Sequence, residues 1–166
     1  NNWQDDANAI DFSNIGLTPI YNLSYKNITV KNRSNAVIKT GKIVTIGNSG
    51  TFEVNESQFT NEGGIYSNGI GENKILVRNG ARFVNRGTIV LNNNYDTTAI
   101  DDIGTYFENQ TNNILTLGNL YVTSGATMSH LSNSDISCIG LPPPEGSGNC
   151  TSFVNIPAGT GTHYLQ

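Results

Sequence analysis

Charged residues are scarce in this sequence of 166 residues: they make up 13%, about half of the usual share. No apolar run approaches the roughly 20 residues that cross a bilayer, so the low charge does not indicate a membrane protein. The sequence also lacks a cluster of lysine and arginine, and its formal net charge of -4 argues against a nucleic-acid-binding protein. We therefore expect neither membrane insertion nor a nucleic-acid partner.

Cysteine is limited to Cys138 and Cys150, which flank a segment with three consecutive prolines. Proline cannot join the interior of a sheet ladder, so we expect this segment to be an outward loop. The two cysteines are close enough in sequence to close this loop with a disulfide, and two unrelated buried thiols are the alternative. A disulfide would indicate an oxidising compartment, so we expect an extracellular or cell-surface protein.

Neutral polar residues take the place of the missing charge: the sequence has 25 Asn and 18 Gly. Short apolar runs such as KIVTI, TIVL and ILTL are separated by Asn, Gly and Ser, which predicts strands of three to five residues. No window has the apolar spacing of an amphipathic helix. The composition therefore predicts an all-β protein.

An internal repeat begins at residues 59, 83, 107 and 131, with a constant step of 24 residues. Its units are FTNEGGI, FVNRGTI, FENQTNNI and LSNSDI, and the third position of each is asparagine: Asn61, Asn85, Asn109 and Asn133. Such a period indicates a repeat array, and strands this short predict a right-handed parallel β-helix, or β-solenoid, of about five or six short coils. A β-sandwich with Asn-Gly hairpins is the alternative.

Stacking of the repeats makes specific predictions about residues that share a position. Phe59, Phe83 and Phe107 should form one column in the core, and the asparagines should form a hydrogen-bonded ladder. We expect Asn85 and Gly87 to adopt the left-handed conformation at a bend. The chain is expected to be one domain: an N-terminal cap at 1–25, coils at 26–137, the disulfide loop at 138–150 and a terminal strand at 151–166.

The stretches VRNGARFVNRGTIVL and VTSGATMSHLSNSDIS show the residue pattern of the repeats. Over residues 43–136 it resembles the passenger β-helices of bacterial type V secreted adhesins, which include autotransporter adhesins and filamentous-haemagglutinin-type exoproteins. The resemblance implies a β-helix fold and a role in adhesion. We therefore expect a non-enzymatic surface adhesin or binding module, whose partner is a cell-surface glycan or protein receptor.

Two other functions remain open at this stage. The chain could be a structural subunit that binds copies of itself end to end in an extracellular filament. It could also be a polysaccharide-active enzyme, since this fold hosts lyases and glycosidases that use clustered carboxylates. The adjacent pair Asp101 and Asp102 lacks the Gly-His-Gly and Arg-Ile-Lys stretches of β-helix pectin hydrolases. We therefore expect no enzyme activity, no catalytic residue and no cofactor.

Metal binding is not expected either. His130 and His163 lack metal-ligand spacing, and calcium would require a loop that brings Asp96 together with Asp101 and Asp102.

The ligand site is expected in the segment 92–106, which departs from the repeat and is interpreted as an insertion between coils. Loops on a rigid scaffold often mediate recognition, although an ordinary solvent loop is the alternative. The segment offers the aromatic rings of Tyr95 and Tyr106 and the carboxylates of Asp101 and Asp102. These groups suit the CH faces and hydroxyls of sugars, so we predict the four residues as the ligand-binding site.

Overall fold

The structure is a computed structural model that describes residues 9–14, 16–91, 93, 95–111, 115–123, 125–130, 136–137 and 162–165. Cys138 and Cys150 lie outside the described residues, as does the whole loop 138–150 between them. The disulfide therefore stays a prediction. The described residues at 162–165, within the predicted terminal strand at 151–166, form a strand.

The described residues form strands and no helix, so no helix among them could span a membrane. The strands are β1 (Ala9–Phe12), β2 (Leu17–Ile20), β3 (Leu23–Val30), β4 (Asn35–Ile38), β5 (Ile43–Asn55), β6 (Gln58–Asn61), β7 (Gly64–Ser67), β8 (Lys74–Arg78), β9 (Arg82–Asn85), β10 (Thr88–Val90), β11 (Thr97–Ile100), β12 (Tyr106–Asn109), β13 (Leu115–Thr116), β14 (Asn119–Val122), β15 (Thr127–His130), β16 (Ile136–Ser137) and β17 (Thr162–Leu165).

Two sheets build three faces around one core. The seven-stranded sheet has the order β17-β15-β12-β9-β6-β4-β2, and we call it the third face. The ten-stranded sheet bends within β5, whose first half pairs with β7 and whose second half pairs with β8. Its first face contains β7, β10, β13 and β16, and its second face contains β1, β8, β11 and β14. The chain thus visits the three faces in turn.

Every pairing between these strands is parallel, with in-register neighbours in successive coils. A β-sandwich built from hairpins would pair neighbouring strands antiparallel, so that alternative is excluded. The prediction of an all-β parallel β-solenoid is confirmed.

The phenylalanine column lies at the centre of the core, as predicted. Phe59 is aligned with Phe83, and Phe83 with Phe107. The ring centroids are 4.8 Å apart in both pairs. The prediction that the fourth repeat begins at Leu131 is wrong, because Phe107 is aligned with Met128. The step from Phe107 to Met128 is three residues shorter than the 24-residue period of the sequence repeat.

The asparagine ladder is confirmed for three coils. Asn61 Nδ2 donates to Asn85 Oδ1 at 2.8 Å, and Asn85 Nδ2 donates to Asn109 Oδ1 at 2.7 Å. All three side chains are fully buried, so each rung satisfies polar groups that water cannot reach. The next residue in register is His130 and not Asn133, because of the same shortened coil.

The predicted left-handed bend at Asn85 and Gly87 is wrong, since neither residue has a positive φ. Gly87 is required for a different reason: a Cβ atom there would lie 2.0 Å from the carbonyl oxygen of Gly63 in the preceding coil. Thr88 N donates to that same oxygen at 2.9 Å. The glycine therefore permits close approach of two coils.

Strands occur within the segment predicted as a cap, 1–25. From Ala9 onward this segment joins the coils, because β1 pairs in parallel with β3, and β2 pairs with β4. Ala9 is aligned with Asn27, so this coil is shorter than the others. Its third-face strand has Thr18 and Ile20 at the positions where the repeat has Phe and Asn, which is why the sequence did not reveal it.

Candidate functional site

The segment 92–106 is not an insertion. It contains β11, which pairs with β8 on one side and with β14 on the other in the second face. Thr98 and Ile100 of this strand point into the core and are fully buried. β11 lacks the aromatic residue that marks the repeat. The alternation of outward and buried residues in this strand was therefore not recognised from the sequence.

The four predicted ligand-binding residues are distributed along one coil. Tyr95 precedes β11 and is 61% exposed, whereas Asp101 and Asp102 directly follow its last residue. Five residues, four of which form β11, lie between Tyr95 and Asp101, so these two residues are at most about 20 Å apart. Tyr106 begins β12 and lies on the third face. The structure therefore does not gather the four residues into one cluster, but it places Tyr95 and Asp101 at the two ends of β11.

The outward surface of β11 forms the floor of a shallow groove. Its outward side chains, Thr97 and Ala99, are small. Ala99 is aligned with Leu76 of β8 and with Tyr121 of β14, and both larger side chains are half-buried. Because β8 and β14 flank β11, these walls stand about 10 Å apart. We call this surface, from Tyr95 to Asp101 along β11, the β11 groove.

Polar groups line the groove near Tyr95. Thr97 is aligned with Lys74 of β8 and with Asn119 of β14. Lys74 Nζ lies 3.0 Å from Glu72 Oε1, and both side chains are well exposed. This end therefore offers an aromatic ring together with donors and acceptors of hydrogen bonds.

The opposite end of the groove is formed by Asp101, Arg78 and Thr123. Arg78 Nε donates to Glu53 Oε1 at 2.6 Å, which fixes the guanidinium beside the groove. Partial burial raises the pKa of Asp101, and the neighbouring Asp102 carboxylate acts in the same direction. A hydrogen bond from Thr123 and the charge of Arg78 lower this pKa in part. The net shift is upward, so the folded protein holds this proton more tightly than the unfolded chain does.

Replacement of Thr123 by valine is expected to raise the pKa of Asp101 further, because it removes a hydrogen bond that favours the carboxylate. A raised pKa favours folding at low pH, and this contribution is lost as the pH rises through the folded-state pKa. Thr123→Val should therefore lose more stability between acidic and neutral pH than the parent. NMR titration of the Asp101 carboxyl group measures the shift, with Thr127→Val on the third face as the control. An identical Asp101 pKa in Thr123→Val and the parent would contradict this assignment.

Asp102 and Tyr106 are engaged in contacts at the corner beside the groove. Asp102 has a φ of 75°, and its Oδ2 accepts a hydrogen bond from the backbone of Asn79 at 3.2 Å. The guanidinium carbon of Arg82 lies 5.9 Å from the centre of the Tyr106 ring, a cation–π contact. The Tyr106 hydroxyl lies 2.9 Å from Ser129 Oγ. These contacts support the corner, and the binding role predicted for both residues stays a prediction.

Asp96 is a buried carboxylate with a structural environment. Its Oδ1 accepts from Asn73 N at 2.8 Å, and its Oδ2 accepts from Ser67 Oγ at 2.8 Å and from Asn93 N at 3.0 Å. It lies at the beginning of β11, whereas Asp101 and Asp102 follow the end of that strand. Among the described residues, no three His, Cys, Asp or Glu side chains are grouped to hold a metal ion. The loop that would bring the three aspartates together around calcium is therefore not formed.

Leu76, Thr97, Ala99 and Tyr121 belong to the groove but were not predicted. The signal was the alternation in KILVR, TTAI and NLYV, whose second and fourth residues are all buried. When these three segments are aligned, the small residues Thr97 and Ala99 of β11 lie between larger residues of β8 and β14.

The chain has no match among protein-family models, among curated proteins or among solved structures.

Proposed function

We propose that this protein is a non-enzymatic binding module of an extracellular surface, and that it holds an extended glycan chain in the β11 groove. The proposal rests on one observation: the small residues Thr97 and Ala99 lie between Leu76 and Tyr121, with Tyr95 and Asp101 at the two ends. A surface up to about 20 Å long, between flanking strands about 10 Å apart, accommodates a single extended chain.

The side chains of the groove match the chemistry of a sugar polymer. The rings of Tyr95 and Tyr121 offer apolar faces for sugar CH groups. Asp101 accepts hydrogen bonds from hydroxyls. A peptide that added a strand would need an open sheet edge, whereas β11 is paired on both sides. The resemblance of the repeats to those of secreted adhesins also favours a surface-binding role.

A glycan array with the intact chain tests the function, and variants test the site. Ala99→Trp should fill the floor and weaken binding of the selected glycan by tenfold or more, which corresponds to about 1.4 kcal/mol. The double variant Tyr95→Ala with Asp101→Ala should weaken binding similarly, with a loss of stability below about 1 kcal/mol because both sites are at the surface.

Thr45→Trp is the matched control, since Thr45 is a half-buried outward residue of the first face, between Ser24 and Tyr66. It should bind the glycan as the parent does. Undiminished binding by Ala99→Trp would reject the groove as the site, and an array without any bound glycan would reject the function. Cleavage of a bound glycan would instead support the enzymatic alternative.

A further inference from the structure

A cavity of about 470 Å³ lies at the end of the solenoid formed by the first described strands. Its floor includes Ile10, Phe12 and Leu23, which pack against the core but are only partly buried. Among the described strands, β1 pairs only with β3, and β2 only with β4, so no further coil of the described residues covers this end. The volume falls within the range of small-molecule sites, which are mostly apolar with a few polar groups.

Three polar side chains stand at the rim of the cavity. Lys42 Nζ lies 6.0 Å from the centre of the Tyr21 ring, a cation–π contact that holds the ammonium near the opening. Asn22 Oδ1 accepts a hydrogen bond from Ile43 N at 2.8 Å, and its amide nitrogen remains a donor. Tyr21 is 60% exposed. The rim therefore offers a cation and hydrogen-bond donors above an apolar floor.

The described residues at this rim carry a positive charge and no negative charge. Among the described residues that line the cavity, Lys42 is the only charged one. The ion pairs formed by described lysines join Lys31 to Asp11 and Lys74 to Glu72, and none of them includes Lys42. An ammonium group that has no carboxylate partner among the described residues, beside an apolar cavity, complements a ligand with an anionic head and an apolar body.

We propose that this cavity binds a small anionic amphiphile, an aromatic or aliphatic carboxylate or sulfonate. The apolar body lies against Phe12 and Leu23, and the anionic group lies within reach of Lys42 Nζ and the Asn22 amide. The site is at the end of the stack and does not involve the β11 groove, so it is independent of the proposed glycan function.

Two fluorescent dyes test the proposal: anilinonaphthalenesulfonate, which carries the anionic group, and phenylnaphthylamine, which lacks it. The intact chain should bind both saturably. Lys42→Gln should weaken binding of the sulfonate by about tenfold, the usual effect of one charged hydrogen bond, and leave the uncharged dye almost unchanged. Lys39→Gln is the matched control, because Lys39 is also half-buried but does not line the cavity.

Leu23→Trp should fill the cavity and abolish binding of both dyes, and a thermal unfolding curve of this variant verifies that it is folded. Equal affinity of Lys42→Gln and the parent for the sulfonate would overturn the proposal. Absence of saturable binding by the intact chain would also overturn it. Sedimentation velocity at increasing protein concentration would then show whether a second copy of the chain covers this end.

Discussion

Replacing Phe83 by alanine is expected to lower the free energy of unfolding by about 3–5 kcal/mol. The side chain is fully buried, and its ring lies 4.8 Å from the rings of both Phe59 and Phe107. Alanine would leave a cavity in the middle of the column, which neighbouring coils cannot close because their backbones are fixed by parallel pairing. For a chain of this length, the midpoint of thermal unfolding should fall by roughly 6–20 °C.

Thermal unfolding followed by circular dichroism measures this effect. The control is Tyr95→Ala, which removes an aromatic side chain that is mostly exposed and should change stability by less than about 1 kcal/mol. Equal midpoints for Phe83→Ala and Tyr95→Ala would contradict a central position for the Phe83 column.

Asn85→Asp is expected to destabilise the fold by about 3–5 kcal/mol at neutral pH, although it changes side-chain volume very little. The new carboxylate could still accept from Asn61 Nδ2, but it could not donate to Asn109 Oδ1. A charge would then be buried opposite an oxygen atom without a counter-charge.

The effect of Asn85→Asp should depend on pH. Burial would raise the folded-state pKa of the new carboxyl group above its unfolded value. The folded protein would then bind this proton more tightly, so the variant should regain stability on acidification and lose it as the pH rises through the folded-state pKa. Chemical denaturation at several pH values measures this. Asn32→Asp at an exposed corner is the control and should show little change. A pH-independent loss in Asn85→Asp would argue against a buried charge as its cause.

The parts of the fold that could be predicted are those where identical residues recur at equal spacing. Phe59, Phe83 and Phe107 share a 24-residue step with Asn61, Asn85 and Asn109, and both columns form as expected. Large residues that recur once in each coil must pack on one another. Their identity and spacing are therefore enough to predict the column that they form.

Prediction failed where coil length changes or where the stacked residues are unalike. The step from Phe107 to Met128 is shorter than the period, so Leu131 was assigned in its place. The β11 groove depends on a contrast between neighbouring coils, with Ala99 beside Leu76 and Tyr121. A search for similarity between repeats cannot detect a feature that arises from their differences.

The asparagine ladder has a direction, and this has a consequence for how the molecule could lengthen. The amides of Asn61 and Asn85 each give a hydrogen to the next coil. Bonds within a coil add to this: Gly63 N donates to Asn61 Oδ1, and Asn109 Nδ2 donates to Thr111 O. A tandem duplication of one 24-residue unit would add one acceptor and one donor, leaving these bonds as they are. The buried column would gain a rung without an orphaned polar atom. Growth by whole units is therefore compatible with this core.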